Sequence, residues 1–520
     1  MSKGSLLRST AVFSSMTFLS RLAGLARDQL QATLFGTGPA VSAFVVAYRI
    51  PNYLRRIFAE GSFSSAFVPV LSELHQRGDK QALQDFLDHV AGALLAVVLA
   101  ITGLGMLFAP WIARLFLLFA GKDSEQVALT ADMLRITFPY LAFISMTAMA
   151  GAVLNSMRMF GLPAFTPVLH NLGVIAAMLG LASFFEVREY ALAWGVFIAG
   201  LLQLLLLWPA LGRLGMAPRL RLNFRHAGVR KVFGLMLPTI FSSSVSQLNL
   251  LVGTMFASLL IVNAQAWLYY SDRLVEFPLG LFGVAIGTVI LPHLSRRFAD
   301  TDGPGYSRAI DWGLRLVALV SVPAALGLAL MAEPLCATLF QYGEFTGRDT
   351  RMVAASVIAM SVGVPAFMLS KVLLPAFYSR QDTRTPMRAA VITVFVNVVL
   401  TVLLVTPLWY WGFHAAHGGI ALATALAGIV NAGLLWRYLI RQGVYQAQRG
   451  WLRLFLQIAL GSGLMAAAVL YARYIVGDWA GLGPWYLRAA WLLGVVGAGA
   501  LAYGLGLLLA GVRPRHLREA

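Results

Sequence analysis

The sequence predicts an all-α polytopic membrane protein of about fourteen transmembrane helices, and three observations carry that reading. Hydrophobic residues fill 59% of the 520 positions and charged residues only 12%, against about 25% charge in an ordinary soluble domain. Apolar stretches of roughly 18 or more residues, the length that crosses a bilayer as a helix, recur from one end of the chain to the other. Runs such as AGALLAVVLAITGLGMLFAPW do not alternate, whereas a membrane β-barrel needs alternating segments of about ten residues. The single cysteine, Cys336, excludes a disulfide framework or a thiolate metal site.

The elements follow in order. The first span, 6–36, comes after Lys3 and Arg8 as a signal peptide's apolar core would. It contains Arg21 and Arg27 with no small-x-small cleavage signal before them, so it reads as a retained helix. The second, 39–72, contains Pro51, which is expected to break the helix between Arg49 and Arg55 and to free backbone groups that only a cavity or neighbouring protein can satisfy. Four apolar spans follow at 86–119, 126–156, 162–185 and 190–212. The seventh, 229–262, has a polar run from Ser242 to Ser246 with Gln247 and Asn249, read as polar interhelical contacts in preference to an ion site. The eighth, 264–298, carries Asp272, Arg273 and Glu276; the ninth is 307–330; and the tenth, 349–378, carries Lys371. The remaining spans are expected at 386–407, 418–440, 452–475 and 485–511. Stretches longer than 25 residues run past the bilayer or tilt.

The net charge of +18 sits in short loops, so it reports topology and not nucleic-acid binding. One set of alternate loops holds Arg77 and Lys80, the cluster from Arg213 to Lys231, Arg296, Arg297 and Arg308, Arg380 to Arg388, Arg437 to Arg449, and Arg513 to Arg518. The other set holds only Lys122, Arg188, Arg348, Arg351, Arg473 and Arg488. The positive-inside rule then puts both termini in the cytoplasm with an even number of spans.

The two halves resemble each other at an offset of 223 positions, which aligns Pro69 with Pro292, Ser72 with Ser295, Ser156 with Ser379 and Pro163 with Pro386. Six spans per repeat keep the copies parallel, as in transporters whose substrate site lies between two lobes. The expected organisation is an N-terminal lobe over 1–212, a basic cytoplasmic linker over 213–228, a C-terminal lobe over 229–440 and two further helices over 441–520.

Ionisable residues within spans carry the chemistry, because each costs roughly 2.5–3.5 kcal/mol to insert and so faces a cavity or a partner. They are Arg21, Arg27 and Asp28 in span one; Arg49, Arg55, Arg56 and Glu60 in span two; and Asp272, Arg273 and Glu276 in span eight. At 100° per residue Arg21 and Asp28 share a face while Arg27 points about 120° away. Either Gly24 bends the first helix or Arg27 meets a different neighbour. Snorkelling, or structural pairing with Asp28, Glu60, Asp272 and Glu276, is the competing account of these arginines, strongest for Arg55 and Arg56 near the interface. Guanidinium dominates the set, and it is the natural bidentate partner of phosphate; the implied ligand is an anion, a phosphate or diphosphate. His414 and His417 in a short outer loop read as no metal site, and no spacing argues for catalysis, although Asp28, Asp272 and Glu276 keep a membrane-embedded glycosyl- or acyltransferase as an alternative.

At SSMTFLSRLAGLARD, PNYLRRIFAEGSFSSAFVPVL, YYSDRLVEFPLGLFGVAIGTVILPHLS and FYSRQDTRTP the chain resembles the MurJ/MviN family of lipid II flippases. These belong to the multidrug/oligosaccharidyl-lipid/polysaccharide exporter superfamily, and the resemblance covers essentially the whole chain. It implies two six-helix lobes with two C-terminal helices flanking a groove for an undecaprenyl tail. It also implies alternating-access transport of lipid II across the bacterial inner membrane, by a monomer without a cofactor. Membrane potential would drive the step, and other cell-wall synthesis proteins are the expected partners. The substrate-binding set it implies is Arg21, Arg27, Asp28, Arg55 and Arg273, with Arg56, Glu60, Asp272 and Glu276 as gate or salt-bridge residues. Two departures bear on coupling: Ser42 stands where enterobacterial relatives carry an aspartate, and the seventh-span carboxylate some members use for sodium is missing. A flippase for another undecaprenyl-linked glycan, of O-antigen type, shares this fold and basic cavity and is the nearest alternative.

Overall fold

Each stretch expected to cross the membrane falls on helix. The computed structural model describes residues 3–56, 63–117, 124–280, 284–300 and 302–512, and no strand occurs among them. Contacts divide the chain into two compact units, Met1–Ala266 and Trp267–Ala520.

The first unit holds α1 (Lys3–Phe35), α2 (Pro39–Arg55), α3 (Ser64–Arg77), α4 (Lys80–Leu107), α5 (Ala109–Phe116), α6 (Ser124–Thr137), α7 (Tyr140–Ser156), α8 (Gly161–Leu181), α9 (Tyr190–Arg213) and α10 (Ala227–Ala257). Its closest helix pairs include α8 with α9 and α1 with α8. Small residues permit this: a Cβ on Gly173 would lie 3.1 Å from Ala199, and one on Gly195 would lie 3.1 Å from Ala177. α10, expected as the first span of the second lobe, packs on α3, α4 and α5 within this unit. The basic linker is pinned and not a free tether. Asp88 of α4 accepts from the Arg219 amide at 2.8 Å, and its carbonyl accepts from the Arg221 amide at 3.0 Å.

The second unit begins within α11 (Ala264–Pro278) and holds α12 (Val284–Ala299), α13 (Gly303–Leu330), α14 (Ala332–Leu339), α15 (Gly347–Ser361), α16 (Val364–Tyr378), α17 (Arg384–Tyr410), α18 (His417–Arg441), α19 (Trp451–Val476) and α20 (Trp485–Leu509). α17 pairs with α18 and α19 with α20, and α19 also lies on α13.

Among the described residues nine helices are long and apolar enough to span, and a tenth span forms if α15 and α16, bent by 45°, are one. The other four expected spans fall on α1, on α2 with α3, on α10, and on α11 with α12.

Three prolines inside helices are accommodated by hydroxyl groups. A proline at position i leaves the carbonyl of i−4 without its amide donor, and in hydrocarbon that carbonyl must find another. Pro51 frees Ala47, whose carbonyl accepts from the Thr137 hydroxyl of α6 at 3.1 Å. Pro167 frees Pro163, which accepts from Thr166 at 2.8 Å. Pro323 frees Leu319, which accepts from Tyr503 of α20 at 2.6 Å. The first case corrects the expectation of a break between Arg49 and Arg55: α2 continues as helix through Pro51 to Arg55. The freed carbonyl was anticipated; its remedy leaves the helix whole.

Candidate functional site

The charges of α1 settle into two environments. Arg27 and Asp28 are buried, at 8% and 4% exposure. The Arg27 guanidinium folds onto its neighbour, with Nε and Nη2 donating to Asp28 Oδ1 at 3.1 and 2.6 Å. Its Nη1 donates to Asn171 Oδ1 of α8 at 3.0 Å. Asn171 in turn donates to the Ser20 carbonyl at 3.0 Å, and a Cβ on Gly24 would sit 3.5 Å from its side chain. Arg27 faces α8 through Asn171, the same helix whose first turns line the cavity beside Arg21. A buried ion pair is tolerable when its remaining donors are satisfied, and Asn171 serves that purpose.

Arg21 is exposed and lines a cavity of about 460 Å³ with Thr17, Ser20, Asn155 and Pro163. Among the described residues it makes no hydrogen bond or ion pair, and no acidic side chain lines the cavity. The cavity lies where α1 meets the end of α7 and the start of α8, with Pro163 in the first turn of α8.

Arg55 is half-buried near the end of α2, its Nε donating to Asn52 Oδ1 at 3.0 Å. Both Arg27 and Arg55 exert a field on His170, a buried ring on α8 that lies 5.4 Å from Tyr140. The structure therefore sets Arg27 and Asp28 against α8, and Arg55 stays on its own helix with Asn52. Arg56 closes α2, its amide donating to the Asn52 and Tyr53 carbonyls, and Glu60 lies outside the described residues.

The span-eight residues make their own cluster on α11. Arg273 Nη1 donates to Glu276 Oε2 at 3.1 Å, and its guanidinium lies over the Tyr269 ring at 4.9 Å. Its side chain is 33% exposed, so it remains open to a ligand; Asp272 beside it is half-buried. Lys371 is exposed on α16.

Asn171, which fixes Arg27, escaped the sequence reading, and so did the partners of Arg49, which donates to Thr254 Oγ1 at 3.0 Å and to Gln265 Oε1 at 3.4 Å. The adjacent pair His170 and Asn171 within an apolar span was the available signal for the first. Nothing local marks the partners of Arg49, which lie 205 and 216 positions away.

Membrane-length apolar helices with guanidinium groups buried between them and lining a cavity define a class, a polytopic membrane protein. The fold places it more narrowly. An inward-facing multidrug resistance MATE family transporter of the MOP superfamily superposes with a TM-score of 0.66 over 84% of this chain and 98% of that one, at 16% identity. The solved structure described as lipid II flippase MurJ, inward closed conformation, superposes at 0.79 over 96% of this chain and 98% of that one, with 26% identity. A probable lipid II flippase MurJ of Vibrio cholerae serotype O1 is 41% identical over 99% of this chain and 98% of its own length. A lipid II flippase MurJ of Burkholderia cenocepacia is 40% identical over 92% of each. Residues 31–482 match the family described as Lipid II flippase MurJ. The chain belongs to the MurJ family.

Proposed function

We propose that this protein carries lipid II from the cytoplasmic to the periplasmic leaflet of the bacterial inner membrane by alternating access. Arg21, Arg27, Arg55 and Arg273 hold the diphosphate and headgroup, and Asp28 sets the orientation of Arg27. Arg56, Glu60, Asp272 and Glu276 act in gating pairs. The observation that carries this reading is Arg21, which among the described residues makes no hydrogen bond or ion pair and lines a cavity with no acidic side chain. An isolated anion in hydrocarbon costs tens of kcal/mol, and charge-assisted bidentate contacts offset much of that. Family membership along nearly the whole chain supports lipid II over an O-antigen unit.

Both termini face the cytoplasm in this reading, the undecaprenyl tail runs along α19 and α20, and the protein works as a monomer without a cofactor. The lobes of the sequence repeat, 1–212 and 229–440, alternate in exposing the site, with 213–228 as the linker and 441–520 as the tail-binding helices. Membrane potential drives the cycle: each charge moved is worth about 2.3 kcal/mol per 100 mV, and an inside-negative potential favours outward passage of the anion and return of the empty cationic site. Other cell-wall synthesis proteins are its expected neighbours.

The test is depletion of the protein followed by measurement of lipid II in each leaflet, with rescue by variants. Depletion should trap lipid II in the inner leaflet. Rescue by Arg21→Ala or Arg273→Ala should fall at least about tenfold short, since a hydrogen bond to a charged group contributes about 1.5–3 kcal/mol. Normal flipping after depletion, in cells lacking a redundant flippase, would overturn the function; full rescue by both variants would overturn the residue assignment alone.

A further inference from the structure

The C-terminal helix pair carries a second basic cavity, separate from the one that Arg21 lines. It measures about 310 Å³ and lies where the middle of α13, the start of α19 and the end of α20 meet, lined by Arg315, Arg453, Trp312, Gln457, Gly450 and Gly511 among others. Among the described residues no acidic side chain lines it. We propose that this cavity binds the phosphate of an anionic glycerophospholipid from the surrounding membrane.

The two arginines differ in a way that defines the site. Arg315 is committed to scaffolding: its Nε donates to Asp311 Oδ2 at 2.6 Å and its Nη2 to the Gln448 and Arg449 carbonyls at 3.2 and 2.9 Å. It also lies over the Trp451 ring at 5.2 Å. Tyr445 and Trp451 donate to Asp311 Oδ1 at 2.7 and 2.9 Å, so the loop before α19 is fixed on α13. Arg453 makes no hydrogen bond or ion pair among the described residues, and its charge stands uncompensated at the cavity.

Helix ends add to the field. α19 begins at Gly450, at φ 101°, with no side-chain cap hydrogen bond, which leaves the positive end of its dipole at the cavity. The opposing end of α20 is largely neutralised, because the carbonyls of Gly506, Leu507 and Leu508 accept from the closing turn and that of Ala510 accepts from Gln457 at 2.8 Å. A phosphate oxygen here therefore meets a free guanidinium and a helix N-terminus.

The surroundings favour a lipid over a soluble phosphate. Leu452, Phe455, Leu456, Leu508 and Leu509 are exposed beside the cavity on α19 and α20, an apolar flank for acyl chains under a basic rim. Basic pockets between helices at this membrane face hold phospholipid headgroups elsewhere. The site lies at the end of the spans that bears the basic loops, proposed above as cytoplasmic.

The experiment is native mass spectrometry of the full chain in a neutral detergent, titrated with phosphatidylglycerol, phosphatidylcholine, undecaprenyl diphosphate or soluble glycerol phosphate. The wild type should retain one phosphatidylglycerol in preference to phosphatidylcholine. Arg453→Gln should lower that retention about five-fold, the contribution of one basic residue near an anionic surface. Arg453→Lys should recover most of it, and Arg441→Gln, an exposed arginine elsewhere on the same side, should leave it unchanged. Equal retention by wild type and Arg453→Gln would overturn the site. Displacement of the lipid by glycerol phosphate would overturn the lipid assignment in favour of a free phosphate. Retention of undecaprenyl diphosphate but not phosphatidylglycerol would make it a substrate-docking site.

Discussion

Arg21 and Arg27 stand six positions apart on one helix in different environments, because Arg27 has a buried carboxylate beside it and Arg21 lines a cavity. Asp28→Asn leaves the buried Arg27 guanidinium uncompensated, and removing one partner of a buried pair costs about 3–5 kcal/mol. Thermal unfolding in detergent should show that loss, whereas Arg21→Ala, at an exposed position, should change stability by no more than about 0.5 kcal/mol. Thr137→Val should cost about 1–3 kcal/mol by orphaning the Ala47 carbonyl that Pro51 frees; Thr137→Ser, which keeps the hydroxyl, should retain most of that stability. The sequence alone revealed the angular problem of Arg27, since 100° per residue is local geometry. It did not reveal the solution, because Asn171 is 144 positions away and no periodicity encodes a contact between two helices.

Elements were the most legible level. An apolar window of membrane length has no soluble alternative, so α4, α7, α9, α13 and α17 to α20 lie where hydropathy put them. Pro51 misled for the reason Asn171 escaped: the hydroxyl that rescues α2 belongs to α6, 90 positions on. Contacts between elements yield two further predictions. α19 and α20 meet at glycines, and a Cβ on Gly506 would lie 2.7 Å from Gly461 Cα. Gly506→Val should therefore separate the pair at a cost of about 1–3 kcal/mol, while Gly463→Ala, with open space around its Cβ position, should leave the melting temperature unchanged or slightly raised. At the start of α13, the Gly305 amide and then the Arg297 guanidinium hold the Asp302 carboxyl below its ordinary value of 3.8. A lowered folded pKa contributes stability above the unfolded value and loses it as pH falls through the folded one. The gap in melting temperature between wild type and Asp302→Ala should stay constant from neutral pH to about pH 4 and close below it.

At the scale of the whole molecule the legible feature is charge asymmetry. A surplus of +18 confined to alternate loops is costly to translocate, so it fixes which loops stay inside. The repeat at 223 positions is legible too, since prolines and serines in register survive where apolar residues interchange freely. Contacts follow a different line, because α10 packs on α3, α4 and α5, more than 100 positions earlier in the chain, and no hydropathy pattern reports packing partners. Topology can be tested without disturbing the protein, because its only cysteine, Cys336, is fully buried and should resist an impermeant maleimide. Gln76 is exposed in the last turn of α3, and His414 is exposed between α17 and α18. In intact spheroplasts His414→Cys should label and Gln76→Cys should not; after lysis both should label to the same extent. Labelling of Gln76→Cys in sealed spheroplasts, with His414→Cys protected, would invert the topology. The inside-negative potential would then oppose outward passage of the anion, so the proposed driving force stands or falls with that one pair of measurements.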